Sequence, residues 1–114
     1  MDPADRDRDD DFDVELAALA RQAKALSHPA RLAILRFLAD QDRCICADVV
    51  AELPLAQATV SQHLKVLRDA GLIRVTPDGR ASSYCLDPDA LDSFHRRITT
   101  YFTSLEGAPR QPAC

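Results

Sequence analysis

The chain has 114 residues, 46% of them apolar, and a formal charge of −4. That is enough for one compact domain. Its apolar runs are too short to cross a bilayer, and its acidic start is unlike a secretory signal, so a cytoplasmic location is expected. Residues 1–15 hold eight acids and two arginines, which leaves +2 for everything after them. The net charge therefore does not exclude a polyanionic partner. Residues 1–13 read as an acidic, disordered leader with too few apolar groups to pack.

From Val14 to Leu26 the apolar residues Leu16, Leu19, Ala20, Ala23 and Leu26 recur at the spacing of an amphipathic helix. Ser27 is the expected cap of a second helix, with Pro29 in its first turn, and Leu32, Ile34, Leu35 and Leu38 form its apolar face. A third helix is expected from about Cys46 or Ala47 to Leu53, stopped by Pro54. A fourth runs from Gln57 to Ala70 with the stripe Val60, Leu64 and Leu67, and Gly71 ends it. The period then changes to two. Leu72 to Thr76 reads as a strand, Pro77-Asp78-Gly79 as a turn and Ala81 to Leu86 as the returning strand. In that strand Tyr84 and Leu86 share one face, Ser83 and Cys85 the other. A fifth helix starts at Pro88 and carries Leu91, Phe94, Ile98, Tyr101, Phe102 and Leu105. A loose tail follows, residues 107–114.

This order gives a mainly α fold, about five helices with a two-stranded wing, over residues 14–106. Two short helices joined by Leu53-Pro54-Leu55-Ala56, the second polar on its outer side, form a helix-turn-helix pattern. The major groove of DNA admits such a helix, whose short polar side chains reach bases and phosphates. Gln62 both donates and accepts, Thr59 and Ser61 suit phosphates, Lys65 adds charge, and Arg80 beside the hairpin tip suits a flanking phosphate or the minor groove. His63 lies about 60° around the helix from Val60, at the edge of the buried stripe. Packing or a structural hydrogen bond suits it as well as base contact.

The run Leu53-Pro-Leu-Ala-Gln-Ala-Thr-Val-Ser-Gln-His-Leu-Lys-Val-Leu-Arg-Asp-Ala-Gly-Leu-Ile73 resembles the signature of the arsenic-repressor (ArsR/SmtB) family, as does Ala25-Leu-Ser-His-Pro-Ala-Arg-Leu-Ala-Ile-Leu35. The resemblance spans roughly residues 14 to 105. It implies a homodimer joined by the first and last helices, reading a palindromic double-stranded operator as a repressor. It also implies that Gln57, Thr59, Ser61, Gln62, His63 and Lys65 lie on the DNA-reading element. Ala56 stands where the family usually places a capping serine.

Family members respond to metals, metalloids or oxidants, so no obligatory cofactor is expected and the cysteines become the candidate switch. Four cysteines in a cytoplasmic chain argue against a disulfide framework. Cys44 and Cys46 are soft ligands two residues apart, suited to arsenite or another thiophilic metal ion. If the segment is extended, both sulfurs face one side. The pair resembles the family's Cys-Val-Cys site, set one residue farther from the recognition helix. Val49 and Val50 occupy the region of its third cysteine, which leaves Cys114 as the candidate third ligand. No sequence pattern ties Cys85 to the others. The alternative is a switch by cysteine oxidation or persulfidation, with Cys85 or Cys114 as the disulfide partner, because a Cys44–Cys46 bridge would be strained. Asp92 and His95 begin a second family zinc pattern that lacks its remaining ligands. A thiol enzyme is disfavoured, since no glycine loop is present to bind an oxyanion.

Overall fold

The computed structural model describes residues 13–46, 50, 53–54, 57–78 and 81–113. Among these are four helices, α1 (Val14–Ala25), α2 (Pro29–Ala39), α3 (Gln57–Asp69) and α4 (Pro88–Leu105). Three strands, β1 (Ile45–Cys46), β2 (Ile73–Asp78) and β3 (Ala81–Leu86), form an antiparallel sheet in the order β1-β3-β2. The leader through residue 12, most of the expected third helix, Ala56, Gly79, Arg80 and Cys114 lie outside the described residues.

Helix boundaries follow local chemistry. Asp13 caps α1, its Oδ1 accepting from the Glu15 N–H at 2.7 Å. The second cap differs from expectation. Ser27 donates its hydroxyl back to the Lys24 carbonyl at 2.7 Å and so closes α1. His28 caps α2 instead, Nδ1 accepting from the Ala30 N–H at 3.0 Å. The reason is steric. Pro29 is the first helical residue, and a proline forces the residue before it into extended backbone, here φ −146° and ψ 133°. At the end of α3, Gly71 has φ +80°. The Leu72 N–H reaches the Leu67 carbonyl at 3.0 Å and the Gly71 N–H that of Arg68 at 2.8 Å, the paired closure that needs a left-handed residue.

The core draws on every layer. Ile34 and Leu38 of α2, Val60, Leu64 and Leu67 of α3, Leu72, Ile73 and Phe94 are buried with Val50 and Ile45. Each such side chain contributes about 1.5–3 kcal/mol on leaving water. The stripe foreseen on α3 is thus the buried one. Leu32, expected on the apolar face of α2, is 51% exposed.

The sheet corrects two expectations. Cys46 stands in a strand rather than at a helix start, and the expected two-stranded hairpin, β2 and β3, gains β1 as a third strand of its sheet. Ile45 pairs with Tyr84 and Cys46 with Ser83; Ile45 turns into the core, which holds this short strand against β3. Two residues are too few to show a period. The hairpin is also longer than foreseen. Pro77 pairs with Ser82 and Asp78 with Ala81, so both belong to β2 rather than to a turn, and Leu72, expected in the strand, precedes it as a buried residue.

Helix α4 lies along α1. Arg97 of α4 donates from Nε to the Glu15 carboxylate at 2.8 Å and from Nη1 to Gln22 Oε1 at 2.7 Å. Phe94 points to the core, while Tyr101, Phe102 and Leu105 stay exposed, as do Val14 and Leu16 of α1. Residues 107–113 form neither helix nor strand and are exposed.

Candidate DNA-reading helix and thiol cluster

Helix α3 has two unlike sides. Val60, Leu64 and Leu67 fix one side in the core, so rotation of the helix would pull them into water. The other side presents Thr59, Ser61, Gln62 and Lys65, all exposed. These four share the accessible surface as the sequence predicted. The side chain of Gln57 and the whole of Arg80 lie outside the described residues.

His63 has a different setting. It is half-buried at the seam between α3 and the start of α2, with Nδ1 3.1 Å from Nη1 of Arg31. A guanidinium has donors only, so Nδ1 must carry the lone pair and the ring proton sits on Nε2. The His28 ring packs against it, centroids 4.5 Å apart and tilted by 45°. Burial, then His28, then the Arg31 charge push the His63 pKa below its ordinary value. Arg31 also donates from Nε to the Ala25 carbonyl at 2.6 Å, with longer contacts to the Lys24 carbonyl and the Ser27 hydroxyl. His63, counted among the DNA-reading residues, is therefore engaged inside the protein. Arg31 was missed because nothing in the sequence points an α2 arginine at α3.

The cysteines are arranged otherwise than the sequence implied. Cys44 is disulfide-bonded to Cys85, with Cα atoms 4.6 Å apart. Continuing the β1–β3 register by one residue beyond Ile45 and Tyr84 places these two directly opposite each other. The spacing is that of a non-hydrogen-bonded antiparallel pair, about 4.5 Å. Cys85 is thus the partner of Cys44, one of the two disulfide partners that the oxidative alternative named. Cys46 carries a free, exposed thiol. By strand alternation it shares a face with Cys44 and Cys85, opposite the face that holds Ile45 and Tyr84. With the disulfide formed, no three metal-binding donors among the described residues stand close enough to hold an ion. Asp92 pairs with Arg96 at 3.6 Å on the surface, so the Asp92–His95 pattern gains no further ligand.

The profile described as "Bacterial regulatory protein, arsR family" matches residues 28–75, from the cap of α2 to the middle of β2. The arsenical resistance operon repressor of Staphylococcus xylosus is 33% identical over 84 residues, covering 74% of this chain and 80% of that protein. An uncharacterized HTH-type transcriptional regulator of Mycobacterium tuberculosis, Rv0081, is 38% identical over 63 residues; the match spans 55% of its length and 55% of this chain. Among solved structures, the homodimeric winged helix-turn-helix DNA-binding domain of Mb0332 from Mycobacterium bovis superposes with a TM-score of 0.61. It is 24% identical, with 85% of this chain and 90% of that one covered, and shows the fold.

Proposed function

The chain belongs to the arsR family of bacterial regulatory proteins, and from that premise we propose that it is a homodimeric repressor that grips operator DNA with α3 and lets go when its thiols are engaged. The observation that carries the reading is the two-sided α3. Core contacts on one side hold Thr59, Ser61, Gln62 and Lys65 outward in one rigid array, as a major-groove reader needs. Gln62 is the residue suited to a base edge, and Lys65 to a phosphate. The exposed Val14, Leu16, Tyr101, Phe102 and Leu105 on α1 and α4 offer the apolar surface that a second copy would cover. A homodimeric relative in fold supports that arrangement.

The inducer of this reading is arsenite or another soft metal ion acting at Cys44 and Cys46. The arsenical repressor among the relatives supports it. One observation favours a second reading, release by oxidation: Cys44 already faces Cys85 in bonding register. Fluorescence anisotropy with duplexes from the region upstream of the chain's own gene tests both. The reduced protein should bind one duplex with an affinity that falls steeply with salt. Arsenite under reducing conditions should release it on the first reading, peroxide on the second. Failure to bind any such duplex at low salt would refute the DNA-binding reading itself.

A further inference from the structure

We propose that reduction of the Cys44–Cys85 disulfide opens a three-thiol site on the outer face of the sheet, in which Cys44, Cys46 and Cys85 together bind one thiophilic ion that prefers three sulfurs. Cys85, not Cys114, is the third ligand. This deepens the functional reading above and rests on it only for the effect on DNA.

The register supplies the placement. Cys44 and Cys85 are opposite neighbours 4.6 Å apart at Cα. Cys46 lies two residues along the same strand, opposite Ser83, and so points to the same side. A diagonal pair such as Cys46 and Cys85 lies about 7–8 Å apart at Cα. Ion–sulfur bonds of about 2.3 Å on each side help to close such a gap. Cys44 and Cys46 are exposed and Cys85 half-buried, so an ion has access. On the opposite face, Ile45 is buried in the core and Tyr84 packs against it, which holds the backbone that carries the thiols. Three thiolates carried on paired extended segments form a donor set for arsenite or a soft divalent ion.

The disulfide and the ion exclude each other, because each needs the sulfurs of Cys44 and Cys85. Two small-molecule thiols reduce the disulfide, leaving two cysteine thiols and one oxidised small-molecule disulfide. Arsenous acid, As(OH)₃, then condenses with three cysteine thiols. Three As–S bonds form, three As–O bonds break, and three waters leave with the thiol protons. Arsenic keeps its oxidation state. Loading therefore reports the redox state of the cell as well as the ion.

The test uses the full chain, reduced and then freed of reductant, with arsenite as the probe. Native mass spectrometry should show one arsenic bound per chain with three protons lost, and free thiols should fall from four to one. Cys85→Ser and Cys46→Ser should each lose the three-thiol adduct, while Cys114→Ser keeps it. Phenylarsine oxide, which offers only two exchangeable positions, should leave one more thiol free than arsenite does. Protein oxidised to the Cys44–Cys85 disulfide should take up no arsenite through three sulfurs. Loss of the adduct in Cys114→Ser with retention in Cys85→Ser would overturn the proposal, as would an arsenite adduct of two thiols in the unmodified chain. Circular dichroism melts show whether each variant folds, and anisotropy on the same samples measures DNA binding. A chain that binds DNA but fails the adduct test loses only this inference. A chain that forms the adduct but binds no DNA loses only the repressor reading.

Discussion

Replacing Arg31 with alanine removes a side chain that joins the end of α1, the start of α2 and helix α3. Two of its contacts are short, 2.6 Å to the Ala25 carbonyl and 3.1 Å to His63 Nδ1; the other two, at 3.3 and 3.4 Å, lie in solvent. Hydrogen bonds from a charged donor are worth about 1.5–3 kcal/mol each when buried. Arg31 is half-exposed, and screening reduces each of the two to about 1 kcal/mol. The expected loss is therefore about 2 kcal/mol, read from urea unfolding at one fixed protein concentration, since self-association of the kind proposed would shift apparent stability. A pH series adds a second readout. The unfolded chain protonates His63 near its ordinary value, about 6.5, whereas the folded chain resists the proton. The unfolded state then binds more protons, and stability rises with pH across that window. It is fully present above about 6.5 and is lost as pH falls through the lower folded value. The drop should disappear in His63→Gln. In Arg31→Ala it should become shallower but persist, because burial and His28, the two larger causes, remain. A variant within about 0.5 kcal/mol of the parent, in the range of an ordinary surface substitution, would refute the account. So would a pH profile that His63→Gln leaves unchanged.

Four further outcomes are expected. Lys65→Ala should weaken binding to all duplexes and lower the salt slope by about one counterion, whereas Gln62→Ala should cost about 1–3 kcal/mol on the preferred duplex only, both read by anisotropy over a salt series. Gly71→Ala should lower unfolding stability by about 1–2 kcal/mol; an added Cβ meets nothing within 4 Å, so the loss comes from the left-handed backbone at φ +80° alone. Arg97→Ala should loosen α1 from α4 by about 1 kcal/mol, detected as faster amide exchange in α1, because the side chain is 20% exposed and holds both Glu15 and Gln22.

Features set by local rules were readable from the sequence, and those set by register were not. The stripe Val60, Leu64 and Leu67 repeats with the helical period, so both the buried side of α3 and its outward Ser61, Gln62 and Lys65 could be assigned from spacing. Gly71 and Pro88 mark boundaries through their own backbone preferences. Ser27 misled because serine is usually the better cap; the choice passed to His28 through the neighbouring Pro29, a constraint that outranks side-chain preference. The pairing of Cys44 with Cys85 had no local signal, being separated by 41 residues. It depends on Ile45 entering the core opposite Tyr84, since a slip of one residue would turn Ile45 outward and Cys44 and Cys46 inward. One buried isoleucine thus places the thiols. A polar residue at position 45 should free β1 and separate Cys44 from Cys85 while leaving the polar face of α3 in place. The thiols and the outward face of α3 therefore rest on different parts of the fold, and they are joined through the sheet: Cys85 of β3 pairs with Arg74 of β2, which follows α3 directly after Gly71 and Leu72.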